Sequence, residues 1–429
     1  MPVNNTYDSF GGVLANQVTS MEKDLIELME GVIGTPSPPG QEKEVCVLLA
    51  DWMTDHGILA TIQEVEETRA NVVGTIPGNG AGPSVTYNAH MDTTFAGDAS
   101  DNLIVGQPGS VATPSLEIDG DYFTGLGVFN DKGLFVAACI GALAIKRAGI
   151  ALEGDVILAG VCGEIGRAQV GEYRGPGTRG KGLGTYHLLH QGVWSDYAIV
   201  CENSNWSISW ALPGAAYIQI VVRGEPTYAP LSERTYSSLP ENKNAIVKAA
   251  HLIIALEEWA QTYETSNETL TPCGTIKPRV TIGAVDGGLP YKPNWRPALA
   301  NVYVDVRVSP NRSPLDIQRE VAAVVRATGL SNEINMYLAR MGYIGEGIEP
   351  IREALESSHQ EIFSLPPNPT QWRNLSTWND TNIYAEVGIP AVKYGPPGSL
   401  HPERVKIADI MNAARVYALS AVRLCGSKG

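Results

Sequence analysis

Five short stretches of this 429-residue chain put a metal-type side chain at the end of a strand or in a tight turn. In NAHMD, His90 and Asp92 lie two apart, so on a strand they share a face. A neutral imidazole ligates Zn, Mn or Co well, and a neighbouring carboxylate can fix its tautomer. In GLGVFNDKG, Asn130 and Asp131 follow a glycine-rich turn and precede a helix, where a plain helix N-cap is the competing explanation. In VCGEIG, Glu164 follows an apolar strand, and in IVCEN, Glu202 ends the next one. An acid at the carboxyl end of such a strand often points into a cleft. Two of them on adjacent strands call for partners, because burying a lone charge is costly. His401 in GSLHPERV lies in a loop rich in Pro and Gly before the last helix, and solvent exposure is the alternative there. Mixed nitrogen and oxygen donors of this kind suit a divalent transition metal, Mn or Zn and also Co. Their spread along the chain differs from the compact HExxH of a zincin.

The elements that must position these residues follow from the apolar pattern. Residues 60–65, 71–76, 84–90, 155–162 and 197–202 are short β-rich runs. The glycine-rich turn at 125–133 opens a long apolar helix ending near Ala148, and Ser20 is placed to cap a helix near the start. Strands alternating with helices predict an α/β domain with a mostly parallel, layered sheet. The character changes near Pro213. AAYIQIVVRG alternates, RVTIGAVDGG and ANVYVDVRVS read as strands, and 244–261 and 313–328 are amphipathic helices. The expected organisation is a discontinuous α/β domain over 1–213 and 331–429, with an inserted α+β domain over 214–330.

Composition narrows the function. Lys+Arg 31 against Asp+Glu 46 gives a net charge of −15, which argues against nucleic-acid or anionic-membrane partners. The longest apolar run, Leu134 to Ile145, falls short of the ~18 residues needed to span a bilayer. MPVNNTYDSF has neither a basic nor an apolar leader segment, and the 6 cysteines form no CxxC, so a reduced cytoplasm is the expected location.

Taken in order, the motifs resemble those of the metallopeptidase superfamily of glutamate carboxypeptidase, acetylornithine deacetylase and succinyl-diaminopimelate desuccinylase. NAHMD is similar to its GHxDxV, GLGVFNDKG to its GxGxxDxKG, and VCGEIG to its DEExG. IVCEN and GSLHPERV resemble its strand-end acid and its C-terminal histidine motif. The resemblance implies an inserted lid and dimerisation domain, hence a homo-oligomer formed through it. It also implies two metals sharing an aspartate, a glutamate general base and a lid histidine that stabilises an oxyanion.

Carried over residue by residue, three of those roles change. The shared aspartate falls on Asn130, the general base on Gly163, and the lid histidine on Tyr228. A neutral amide bridges two dications poorly, so one ion per chain is expected. The implied ligands are His90, Asn130, Glu164, Glu202 and His401. Asp92, Glu164 and Tyr228 carry catalysis, and Tyr228, Asn294, Arg296 and Arg373 bind substrate. Three readings follow: a non-catalytic binding protein on an enzyme fold, an amidohydrolase (aminoacylase or dipeptidase) with rearranged roles, or a hydrolase of something other than an amide. The last is favoured, and within the superfamily the chain resembles the metal-dependent aminohydrolases of nitroaromatic degradation, which implies displacement of the ring amine of a small nitro-substituted aminobenzoate.

Overall fold

The computed structural model describes residues 10–97, 101, 112–234, 237–330 and 333–427. The MPVNNTYDS opening, on which the leader expectation rested, lies outside them. The chain divides into two compact units. One runs to Trp210 and resumes over Gly345–Thr370 and from Asn379. The other comprises Ala211–Ile344 and Gln371–Trp378.

The first unit is built on a six-stranded sheet. Its strands are β1 (Leu59–Glu66), β2 (Arg69–Ile76), β3 (Val85–His90), β4 (Val156–Val161), β5 (Tyr197–Cys201) and, after the second unit, Ala391–Tyr394. In space β1 and β2 form an antiparallel edge, followed by β4, β3, β5 and Ala391–Tyr394, which run parallel. Every residue of β3 and β4 is buried, as expected of parallel strands covered on both faces, and their continuous apolar sequence is the consequence. Helices α1 (Phe10–Ser20), α2 (Glu22–Gly34), α3 (Lys43–Asp55), α4 (Lys132–Arg147) and the terminal helix Ile407–Cys425 contribute to one large apolar core. Helices α5 (Leu183–His190) and Thr381–Glu386 supply Leu189, Ile383 and Tyr384 to a smaller cluster with Ala198, Val200 and Ala391. The carboxyl ends of the parallel strands therefore lie side by side, with His90 closing β3, Glu164 following β4 and Glu202 following β5. That rim is where open parallel sheets present their sites.

The second unit is an antiparallel sheet backed by two helices. Strands β6 (Gly214–Arg223), Val280–Gly287, Leu299–Val308 and Glu333–Arg340 lie with Leu299–Val308 and β6 in the centre and the other two at the edges. Helices Ala245–Ser266 and Pro314–Ala327 bury Leu252, Leu256, Ile317 and Val321 against Ile218, Ile220, Val302 and Val304. The second of these helices opens with a capping box between Ser313 and Asp316.

The mostly parallel α/β domain and the inserted α+β domain are thus both observed. The insert is longer than the expected 214–330, because Glu333–Arg340 is an edge strand paired along β6 and 371–378 also joins this unit. Ser20 does not cap the following helix. It ends α1, where its hydroxyl donates back to the Gln17 carbonyl at 2.7 Å, and Met21 takes the N-cap position. Among the described residues no helix is long and apolar enough to cross a membrane.

Candidate metal centre

His90 is buried at the end of β3. Its Nδ1 lies 2.8 Å from the Asp92 backbone carbonyl, which can only accept, so Nδ1 carries a proton. The other nitrogen, Nε2, faces the Asp131 carboxylate with Oδ2 at 3.2 Å. The tautomer is therefore set by the main chain of residue 92. The Asp92 carboxylate stands 3.7 Å from Nδ1 and has a different task. It accepts the backbone N–H groups of Glu164 (3.0 Å), Ile165 (2.9 Å) and Gly166 (3.1 Å), holding the turn after β4 to the end of β3.

The sequence carry-over puts Asn130 in the centre and Asp131 beside it; in the structure the Asp131 carboxylate faces His90. The Asn130 amide donates to the Thr94 hydroxyl at 3.1 Å. Asp131 sits at the N-cap position of α4 but makes no side-chain cap bond, so its carboxylate is not used by the helix. It is buried, and neither oxygen has a hydrogen-bond partner. A buried carboxylate left this way is costly unless a cation joins it.

The electrostatics describe one coupled cluster. Burial pushes Asp131 well above the carboxylate range, and Glu202 and Glu164 push it further, while His90 and Lys393 pull it back. Burial likewise raises Glu164, to about 8, with Asp380, Glu202 and Asp92 adding to it and His90 opposing. For His90, burial works against the charged form, but Asp131, Asp92, Glu164 and Glu202 outweigh it and bring the imidazole to about 10. The cluster is short of positive charge, a deficit that a divalent cation would fill.

Glu202 follows β5 and is braced from both sides. The Asn379 amide donates to one oxygen, and the Lys393 ammonium lies 3.9 Å from the other. Asp380, next to Asn379, is buried and accepts the Thr185 hydroxyl at 2.6 Å. His401 is exposed, with its ring edge-on to Phe95 at 5.6 Å between centroids. Its neighbour Glu403 is buried instead and accepts the Gly127 N–H at 2.8 Å, tying the last strand of this unit to the glycine-rich loop that carries Asn130 and Asp131. Burial raises Glu403 to about 7, against the lowering effect of backbone N–H groups at Gly127, Phe129 and Asn130.

Among the described residues no three His, Cys, Asp or Glu side chains already close around one point. The residues nevertheless fit a cation: His90 Nε2 faces Asp131, whose buried oxygens accept no hydrogen bond. Glu164 and Glu202 are close enough to act on both.

At Gly163, where the resemblance puts the general base, φ is +66°. A Cβ there would run into the guanidinium of Arg69. Arg69 is fully buried and paired with buried Glu42, Nη2 to Oε1 at 2.6 Å and Nε to Oε2 at 2.8 Å. Another residue's cation therefore fills the space of the missing base.

The remaining expected residues belong to the second unit. Tyr228 pairs with Trp295 across the short ladder Thr227–Tyr228 and Trp295–Arg296, and the Asn294 carbonyl accepts the Ala229 N–H at 2.8 Å. Arg296 donates to the Glu225 carbonyl at 2.6 Å and to the Ser232 hydroxyl at 3.1 Å. Arg373 is exposed in the short helix Trp372–Leu375. Sequence reasoning missed Lys393, Glu403 and the Asn379–Asp380 pair. The signal for Lys393 was a lone charge inside the apolar run GIPAVKYG, and for Glu403 an acid two residues beyond His401.

Comparison with known proteins accords with this architecture. Residues 237–333 match the model of the M20 peptidase dimerisation domain. Over 146 residues the chain is 31% identical to a probable succinyl-diaminopimelate desuccinylase of Staphylococcus epidermidis, a match that covers 33% of each protein. Over 97% of this chain and 98% of the relative it is 23% identical to the N-formyl-4-amino-5-aminomethyl-2-methylpyrimidine deformylase of Bacillus subtilis. The structure of an M20 family metallo-carboxypeptidase from Sulfolobus solfataricus superposes with a TM-score of 0.66 at 15% identity, over 94% of this chain and 98% of that one. The fold is that of the M20 peptidases, an α/β domain into which the dimerisation domain of those proteins is inserted.

Proposed function

We propose that this chain is a divalent-metal hydrolase of C–N bonds, and that its reaction is that of a 5-nitroanthranilate aminohydrolase, giving 5-nitrosalicylate and ammonia. The observation that carries the reading is at Gly163. Its positive φ and the buried Arg69 beside it leave no room for a carboxylate base, so Glu164 is the acid available on that turn. His90 and Asp131, joined by Glu202, would hold the ion and leave Glu164 free. A divalent ion there supplies Lewis acidity and lowers the pKa of a coordinated water toward ~7.

Glu164 then serves as proton carrier. As the carboxylate it takes a proton from water, and the raised proton affinity that burial gives it suits it to keep that proton until it passes to the leaving nitrogen. The water oxygen bonds to the amine-bearing ring carbon, the C–N bond breaks, and nitrogen departs as ammonia with the transferred proton. A ring nitro group holds the negative charge that develops during attack, so a neutral hydrogen-bond donor is enough where an amide oxyanion would need more. The substrate-binding roles of Tyr228, Asn294, Arg296 and Arg373 rest on the sequence resemblance.

Incubation with 5-nitroanthranilate and Mn²⁺ should convert its spectrum to that of the nitrosalicylate, with ammonia released in equal amount. No conversion with Mn²⁺, Zn²⁺ or Co²⁺ would overturn this substrate. A second reading, hydrolysis of a simple amide, is favoured by the near full-length match to a deformylase. It predicts release of formate or an amino acid from N-formyl amines, N-acyl amino acids or dipeptides in the same metal-supplemented assay.

A further inference from the structure

The strand Ala391–Tyr394 is buried at all 4 positions, yet its third residue is a lysine. Val392 and Tyr394 enter the large core, while Ala391 faces the opposite side, in the cluster with Val200 and Ile383. Strand alternation sends Lys393 to that second side. Its backbone is fixed: it is in parallel register with Val200, and it exchanges hydrogen bonds with Ser209, 2.8 Å and 3.1 Å. Glu202 lies two residues beyond Val200, hence on the same face, and its Oε1 is 3.9 Å from the Lys393 ammonium. The other Glu202 oxygen is taken by Asn379.

A buried ammonium in an apolar strand is costly, and the acid it serves is a candidate metal ligand rather than a structural partner. We propose that Lys393 is a built-in counter-charge, standing in for a second cation beside Glu202 and so holding the centre to one divalent ion per chain. The inference rests on the metal-dependent reading above. Lys393 acts through Glu202, so it is a positioning residue. Its positive charge repels a further dication and leaves the acids with charge enough for one.

The test is calorimetric titration of the folded, metal-stripped protein with Mn²⁺. The unsubstituted chain should bind one equivalent. Lys393→Met should either take up a second equivalent or bind the first ~10-fold more tightly, because a like charge has been removed a few ångströms away. Lys393→Gln repeats the neutralisation while keeping a polar head against Glu202, should the apolar variant fail to fold. Lys393→Arg keeps the charge and should bind as the unsubstituted chain does. Unchanged or weaker binding in the neutral variants overturns the proposal, as does a second equivalent in Lys393→Arg. Absence of Mn²⁺ binding by the unsubstituted chain overturns the metal-dependent reading itself.

Discussion

Asp131 and Glu403 are both buried acids beside the glycine-rich loop, but their surroundings differ. Glu403 has the Gly127 N–H to accept, whereas Asp131 has no hydrogen-bond partner for either oxygen. Glu403 thereby braces the loop, although its other oxygen is also without a hydrogen-bond partner. The bracing residue carries a pH signature. Burial raises Glu403 from 4.5 to about 7 in the folded chain, so the folded state binds the extra proton between those values. Its contribution to stability is therefore fully present below pH 4.5 and is lost as pH rises through 7, by about 3 kcal/mol. Glu403→Gln should remove that slope, so the difference in urea unfolding free energy between the two proteins should change between pH 4.5 and 8. An unchanged difference would remove Glu403 from the account. At this scale the sequence was legible only in part. His90, Glu164 and Glu202 stand where strand ends predicted them. The approach of Asp131 to His90 was not legible, because alignment to a motif assigns a register, while the backbone of the turn decides which side chain faces His90.

The turn after β4 shows how an element can be specified by what surrounds it. Asp92 gathers 3 successive N–H groups of that turn, and Arg69 with Glu42 fills the space beside Gly163. Gly163→Ala should cost about 2 kcal/mol or more, from the positive φ and from the clash with a guanidinium that is itself fully buried. Gly163→Glu should not create an amidase, since the added carboxylate cannot reach the centre without displacing Arg69. A gain of dipeptide or N-acyl amino acid hydrolysis in that variant, measured beside the parent, would sink this explanation. Arg69→Met should destabilise by about 3 kcal/mol or more, leaving Glu42 buried without its partner, and a thermal melt near that of the parent would contradict it. The parallel strands themselves were plain in the sequence, since burial on both faces demands continuous apolar runs such as VILAGV. The Arg69–Glu42 pair was not, because its members are 27 residues apart on separate elements.

At the scale of the whole molecule, the inserted domain was legible from its alternating strands and two amphipathic helices. Its far boundary was misjudged, because EINMYLAR is only half buried as an edge strand and alternates weakly. The edge strand Val280–Gly287 leaves Val285 exposed, and the match of 237–333 to a peptidase dimerisation domain makes a homo-oligomer the expected state. Sedimentation at micromolar concentration should give a mass of at least twice 45.9 kDa, and a monomer at all concentrations would contradict this. The central claim is more local: a divalent ion held by His90 and Asp131. It is tested most directly by metal content per chain after loading with Mn²⁺ and gel filtration, for the parent, Asp131→Asn and Asn130→Ala. The account predicts one ion per chain in the parent and in Asn130→Ala, and a loss of ~10-fold or more in affinity in Asp131→Asn. Retention of the ion by Asp131→Asn together with its loss from Asn130→Ala would contradict it.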